Sequence, residues 1–172
     1  MEDIARQQMS IKVSSMDLLN TQIQVESKAA ASYLAMASWC DQRAFSNSAN
    51  FFYAQAEEER SHMMKIFKFI TNCGGNAISP EVTNINHDFS SLEEIFQNAL
   101  EQEIEVTKLI NSIVANSRKS NDYAVENFMQ WFIGEQLEEE RSMRDILDLF
   151  ELIGREGIAL KLIDERIKTE SP

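Results

Sequence analysis

The stretch EERSHMMK, residues 58–65, places two neighbouring glutamates about one helical turn before a histidine. Glu59 and His62 are three residues apart, so on a helix the carboxylate and the imidazole lie on the same face. Together they could ligate a metal ion, or His62 could be a hydrogen-bonded histidine of the core. The pair alone does not decide between these two interpretations, so the rest of the chain has to be considered.

Three further glutamates interrupt an apolar helical stripe near its midpoint, as Glu59 does. They are Glu26, Glu103 and Glu139, and Gln136 lies one turn before the last of them. The midpoints of packed helices lie at the same height in a bundle, whichever direction each helix runs. The four carboxylates are therefore expected to meet at one height inside the bundle. Buried carboxylates are costly unless they are paired, and no lysine or arginine occupies a stripe position. A bound metal is the simplest source of the missing positive charge, and this donor set suits iron or manganese.

Long helices are needed to bring these residues together. Four segments show the i, i+3, i+4, i+7 spacing of a core-facing stripe, and a short fifth segment follows. The predicted helices cover about residues 14–41, 47–73, 91–118, 121–152 and 157–168. Ser90 or Ser91 is suited to cap the third helix. The loop at about 74–90 is long enough to cross the bundle and make helix three parallel to helix two. We therefore predict an all-α four-helix bundle with one long crossover loop and a short fifth C-terminal helix.

The composition excludes several other classes of protein. The net charge of −12 argues against a nucleic-acid partner. No apolar run approaches the length of a membrane span, and MEDIARQQMS lacks the features of a secretory signal. Cys40 and Cys73 have no metal-ligand spacing and are expected to be reduced thiols. We expect a single domain over residues 1–172, located in the cytoplasm, without nucleic-acid or membrane partners.

Four segments together resemble the helices of the ferritin-like di-iron proteins, in particular the prokaryotic non-haem ferritins: QVESKAAASYLAMASWC, AEEERSHMMKIF, LEQEIEVTKLIN and FMQWFIGEQLEEER. The resemblance covers nearly the whole chain, and it implies a ferritin-like bundle with two iron ions per subunit. Glu26, Glu59 and His62 resemble the ligands of the first iron site. By the same resemblance, Glu59 would bridge to a second iron completed by Glu103 and Glu139.

The resemblance also gives roles to residues around these two positions. Gln136 resembles the glutamine that stands beside the di-iron centre. Tyr33 matches a tyrosine near the centre, where its phenol could donate an electron or a hydrogen bond; the alternative is a core tyrosine with a bonded hydroxyl. A third iron position would use Glu139 together with Glu58, Glu135 and Glu138. The EQLEEE run that contains most of these acids is also typical of a solvated helix face.

The implied activity is that of a ferroxidase, which oxidises Fe(II) with O2 and stores Fe(III) as a mineral inside a hollow homo-oligomeric shell of twenty-four subunits. Gln136-x-x-Glu139 stands where bacterioferritins and rubrerythrins carry a second Glu-x-x-His, and no methionine stands at the haem-ligand position, so no haem is expected. The fifth helix, which miniferritins lack, offers apolar residues for burial in such a shell: Ile158, Leu162, Ile163 and Ile167.

Three alternatives remain open on the sequence. The chain could form a shell that stores iron without oxidising it. It could be a di-iron oxidoreductase or peroxidase of the same superfamily, acting on peroxide or an organic substrate. It could also be an acidic helical interaction module, although that interpretation leaves the four midpoint carboxylates unexplained. His87, in the crossover loop, matches no motif.

Overall fold

The computed structural model describes residue 5 and residues 7–167. This part of the chain contains five α-helices and no strand: α1 Val13–Asp41, α2 Ser46–Asn72, α3 Leu92–Ser120, α4 Tyr123–Ile153 and α5 Ile158–Arg166. Helices α1 and α2 pack as one pair and α3 and α4 as another, and α1 also packs on α3. The predicted four-helix bundle is therefore confirmed. The boundaries agree with the predicted ones within two residues, although the predicted end of the fifth helix at residue 168 lies outside the described residues.

Local signals in the sequence fix the helix ends on either side of the crossover loop. Ser91 is the N-cap of α3, and its hydroxyl accepts the Glu94 backbone N–H at 3.1 Å. The Glu94 carboxylate in turn accepts the Ser90 backbone N–H at 2.6 Å. At the other end of the loop, Gly74 has a φ of +77°. This left-handed conformation ends α2 and is strained for any residue with a Cβ atom.

The crossover loop follows α1 for most of that helix's length. Near its start, Asn20 donates to the Asn76 carbonyl at 3.0 Å and accepts the Ile78 backbone N–H at 2.8 Å. Near its end, the Trp39 indole N–H donates to the Phe89 carbonyl at 3.0 Å. Asn20 and Trp39 are separated by about 28 Å of helix. The loop therefore crosses the bundle as predicted, which leaves α3 parallel to α2.

The apolar core is divided into two clusters by a layer of polar side chains. One cluster contains Tyr33, Phe52, Phe96 and Phe150. The other is built around residues 19–23 of α1, 66–70 of α2, 106–114 of α3 and 125–132 of α4. On every one of these helices, the buried glutamates fall between the segments that feed the two clusters. The acids therefore occupy one level of the bundle, as the midpoint argument predicted.

Helix α5 docks on its own bundle through an apolar contact and a polar one. Ile163 and Ile167 are buried in the first cluster, whereas Ile158 and Leu162 are 70% and 43% exposed. Asp164 accepts the Ser48 backbone N–H at 2.8 Å and its hydroxyl at 2.6 Å. Since Ser48 lies in the first turn of α2, a carboxylate from α5 supplies hydrogen bonds that the α2 N-terminus lacks. Among the described residues, no helix is long and apolar enough to cross a membrane.

Candidate metal centre

Helices α1 and α2 bring three predicted ligands together. Glu26, Glu59 and His62 each offer one ligand atom, and these atoms all lie within 4.8 Å of one another. All three side chains are buried, with at most 2% of their surface exposed. The Nδ1 atom of His62 lies 3.3 Å from Oε2 of Glu59. The i, i+3 pair of α2, Glu59 and His62, thus forms a compact group with Glu26 of α1 that could hold a metal ion.

Helices α3 and α4 contribute a second set of predicted residues to the same layer. The Tyr33 hydroxyl donates a short hydrogen bond to Oε1 of Glu103, and the Gln136 side-chain amide donates to Oε2 of Glu103 at 2.9 Å. Glu139 is also buried, with 6% of its surface exposed. Glu103 and Glu139 are not part of the 4.8 Å group, but their charges act on Glu59 and raise its pKa. Both carboxylates therefore lie near enough to affect Glu59 but are not members of the first group.

Burial and mutual repulsion make these carboxylates difficult to ionise in the metal-free protein. Burial, and then the negative charge of Glu59, raises the pKa of Glu26 well above its usual value. Burial and the charge of Glu103 do the same to the pKa of Glu59. For Glu139, burial followed by the charges of Glu103 and Glu58 raises the pKa to about 9. A set of acids that repel one another in a dry layer is typical of a functional site.

Glu103 accepts hydrogen bonds from two side chains, those of Tyr33 and Gln136. Burial raises its pKa, but the donors on Tyr33 and Gln136 oppose that rise by stabilising the ionised form. The pKa of Tyr33 itself is raised well above its usual value by burial and then by the charge of Glu103. Tyr33 thus remains a neutral phenol, and its hydroxyl donates a hydrogen bond to the Glu103 carboxylate.

Unpartnered oxygens test whether a metal fits this layer. Oε2 of Glu26 and Oε1 of Glu59 are buried and have no hydrogen-bond partner in the described structure. The buried polar residues of the described chain include no lysine or arginine. Divalent cations would satisfy both oxygens and supply the absent positive charge, so the donor set fits a metal centre rich in carboxylates.

The acids predicted for a third iron position lie on the outer side of His62. Glu58 and Glu135 form a second 4.8 Å group with His62, and Nε2 of His62 is 4.0 Å from Oε1 of Glu58. Glu138 is not in that group, but it lines the same cavity of about 450 Å³ as Glu58, Glu135 and Glu139. The four acids therefore share a cavity, whereas the tighter group contains His62 and lacks both Glu138 and Glu139.

Two glutamines in the layer were not identified from the sequence. The Gln22 side chain, 1% exposed, donates to Oε1 of Glu26 at 2.8 Å. Gln55 donates to Oε2 of Glu58 at 3.3 Å. Each glutamine precedes a buried glutamate by four residues, Gln22 before Glu26 and Gln55 before Glu59. This repeated Gln-x-x-x-Glu spacing on α1 and α2 is the signal that could have revealed them.

The two cysteines and His87 lie outside both metal-binding groups. Cys40 and Cys73 are free thiols, as predicted, and neither joins a metal-binding group in the described part of the chain. Burial raises the pKa of Cys40 to about 12, which makes it an unreactive thiol. His87 is exposed on the crossover loop and also belongs to neither group.

Comparisons with known proteins agree with the fold. The family model for the ferritin-like domain matches residues 16–153. A bacterial non-heme ferritin from Campylobacter jejuni is 38% identical over 151 residues, covering 88% of this chain and 90% of that protein. A probable bacterial non-heme ferritin-like protein from Haemophilus influenzae is 36% identical over 148 residues, covering 86% and 90%. The crystal structure of an open-pore ferritin from the archaeon Archaeoglobus fulgidus superposes with a TM-score of 0.89 at 34% identity, covering 94% of this chain and 99% of that one. The chain therefore belongs to the ferritin family.

Proposed function

We propose that this chain is the subunit of an iron-storage ferritin with ferroxidase activity. It would oxidise Fe(II) with O2 at a di-iron centre within each subunit and store Fe(III) as a mineral core. The observation that carries this proposal is the buried group of Glu26, Glu59 and His62, with two unpartnered carboxylate oxygens directed into a layer that also holds Glu103 and Glu139. Similarity to non-heme ferritins over most of the chain supports iron as the metal.

Iron is the substrate in this proposal, and the carboxylates bind it as a pair of ions. Glu26, Glu59 and His62 would hold the first Fe(II), and Glu59 together with Glu103 and Glu139 would hold the second. Four carboxylates carry four negative charges, which two Fe(II) ions balance. Because these carboxyl groups have raised pKa values in the metal-free protein, iron binding should release protons. Anionic oxygen ligands favour Fe(III) over Fe(II), so each bound ion can give one electron to O2.

The remaining polar residues of the layer keep the ligands oriented. Tyr33 and Gln136 donate to the two oxygens of Glu103, which fixes the plane of that carboxylate. Gln22 donates to one oxygen of Glu26, and the other oxygen is buried without a partner and available to a metal. Such outer hydrogen bonds typically change metal affinity or activity by about 10- to 100-fold. Tyr33 is also the nearest phenol to the centre, so it is our candidate for a residue that donates an electron.

The third iron position and the assembly complete the proposal. Glu58, Glu135 and Glu138 line the cavity next to Glu139, where a third iron could bind before or after oxidation.

We propose a hollow homo-oligomer of twenty-four subunits in the cytoplasm, without haem. Three apolar side chains near the C-terminal end are strongly exposed in the single subunit and would be covered by neighbouring subunits: Leu152, Ile158 and Leu162.

Stopped-flow absorbance tests the catalytic part of this proposal. Metal-free protein is loaded anaerobically with two Fe(II) per subunit and mixed with oxygenated buffer. Rapid formation of Fe(III) is expected for the wild type and is expected to collapse in Glu59→Ala and His62→Ala. Glu57→Ala, an exposed neighbour on the same helix, is the matched control and should behave as wild type. If the wild type oxidised iron no faster than protein-free buffer, a shell that stores iron without oxidising it would become the better interpretation.

A further inference from the structure

Two aromatic rings of α4 contact the imidazole of His62. The ring centroids of His62 and Trp131 are 5.3 Å apart with an angle of 80° between the planes, and those of His62 and Phe132 are 5.8 Å apart with an angle of 74°. The planes of Trp131 and Phe132 are themselves at 88°. The three rings therefore meet edge to face, which is a preferred arrangement of aromatic side chains and restricts the rotation of the imidazole.

The polar contacts of the imidazole restrain it less. Nδ1 of His62 lies 3.3 Å from Oε2 of Glu59, which is long for a hydrogen bond, and Nε2 lies 4.0 Å from Oε1 of Glu58, which is beyond hydrogen-bond distance. A histidine that ligates a metal usually has its other ring nitrogen fixed by a short hydrogen bond to a carboxylate, a carbonyl or a water. For His62, much of the restraint on the ring plane therefore comes from the two aromatic side chains.

A positive charge holds the more exposed of these two rings. Trp131 is 39% exposed, whereas Phe132 is fully buried. The Lys65 ammonium lies 3.3 Å from the centroid of the Trp131 ring, and indole is the aromatic group that attracts a cation most strongly. Lys65 follows His62 by three residues on α2, so both side chains lie on one face of that helix and contact the same indole of α4. The indole is therefore held at two points.

We propose that Lys65 is a positioning residue that acts on His62 through Trp131. The ammonium holds the indole in place, and the indole keeps the imidazole in the orientation that groups its ligand atom with those of Glu26 and Glu59. This inference rests on the proposed function, because it concerns His62 as a ligand of the first iron. It gives a lysine, whose charge repels cations, a role that favours cation binding.

The sign of the effect distinguishes positioning from direct electrostatics. Removing the charge of Lys65 would by itself strengthen the binding of a cation nearby, because two positive charges repel each other. If Lys65 acts through Trp131, its removal instead weakens binding. A contact of this kind corresponds to a change of about two- to fivefold in an equilibrium constant. Lys68, exposed on the same helix, carries the same charge and provides the matched control.

Titration of the metal-free protein with Co(II), followed by the visible absorption of the bound ion, tests the inference without any oxidation step. The part of the signal that is lost in His62→Ala identifies the site that uses this imidazole. Lys65→Met keeps an apolar stem without the charge and should weaken Co(II) binding at that site by about two- to fivefold. Lys65→Arg should bind as the wild type does, because a guanidinium also stacks on an indole. Lys68→Met should cause no weakening. In a Trp131→Leu background, Lys65→Met should cause no further weakening, since the two residues act as one unit.

The possible outcomes separate this inference from the function on which it rests. If Lys65→Met bound Co(II) as tightly as the wild type or more tightly, the inference would be overturned and the proposed function would stand. Equal weakening in Lys68→Met, or weakening by Lys65→Met that persists in the Trp131→Leu background, would also overturn it, because the indole would then not carry the effect. If the wild type itself bound no Co(II), the proposed function and the inference would both be wrong.

Discussion

Glu139 offers a direct test of the electrostatic description of the metal-free centre. Its side chain is almost fully buried, and burial together with the charges of Glu103 and Glu58 raises its pKa from 4.5 to about 9. The ordinary value applies to the unfolded chain, in which Glu139 is solvated. Glu139→Gln replaces this carboxyl with an amide of nearly the same shape that does not titrate. The variant should therefore be more stable than the wild type when no metal is bound.

The size of this effect depends on pH in a defined direction. At pH 7 the folded state keeps a proton on Glu139 and the unfolded state does not, so the wild type loses stability as the pH rises from 4.5 toward 9. Each pH unit corresponds to about 1.4 kcal/mol, and the interval from 4.5 to 7 therefore gives about 3 kcal/mol. At pH 5 the same calculation gives less than about 1 kcal/mol. The advantage of Glu139→Gln should be large at neutral pH and small in mild acid.

Thermal unfolding in the presence of a chelator measures this difference. For a chain of this length, about 3 kcal/mol corresponds to a rise in Tm of about 6–12 °C at pH 7. Glu140→Gln is the matched control: Glu140 accepts a hydrogen bond from Thr107 at 2.7 Å and pairs with Arg144, so its replacement should not raise the Tm. A Tm gain for Glu139→Gln that was absent at pH 7, or equal at pH 5 and pH 7, would refute the reasoning.

Four further predictions concern residues around the centre, at the helix ends and inside α4. Tyr33→Phe removes a buried donor from Glu103 and should lower the free energy of unfolding by about 1–3 kcal/mol, measured by chemical denaturation of the metal-free protein. Asp164→Ala removes the acceptor at the α2 N-terminus and should cost about 2–3 kcal/mol; an unchanged Tm would contradict this role. Gly74→Ala should cost about 1–2 kcal/mol because its φ is +77°. Gly134→Ala, inside α4 with open space around a Cβ atom, should instead stabilise by about 0.5–1 kcal/mol, and denaturation curves compare the pair.

The sequence predicted the level and the membership of the carboxylate layer because helix periodicity determines both. An acid on a core-facing stripe has to be buried, and midpoints of packed helices meet at one height. Glu26, Glu59 and His62 accordingly form one group. Helix boundaries were predictable for a similar reason, since Ser91 and Gly74 act locally through their own backbone geometry. Properties that depend on a single helix could therefore be predicted from the sequence.

Properties that depend on side-chain rotamers and on the rotation of one helix against another could not be predicted from the sequence. Gln22 and Gln55 differ little in pattern from exposed glutamines, and only their side-chain rotamers show that their amides reach Glu26 and Glu58 on the same helices. For the same reason, the sequence could not show that Glu58 groups with His62 and Glu135 more closely than with Glu138. Residue spacing along α4 is compatible with either arrangement.

The position of the carboxylate layer explains how the bundle can contain four acids that oppose folding. The apolar clusters lie on opposite sides of the layer, and each joins all four long helices. The first cluster is rich in contacts between aromatic rings, such as Tyr33 with Phe52 at 5.7 Å and Phe52 with Phe96 at 4.9 Å. Each cluster can hold the helices in register without help from the layer, so the acids are kept close together although they repel one another. A metal that binds this preformed layer stabilises the folded state by RT ln(1 + [M]/Kd), where [M] is the free metal concentration, because the unfolded chain offers no comparable site.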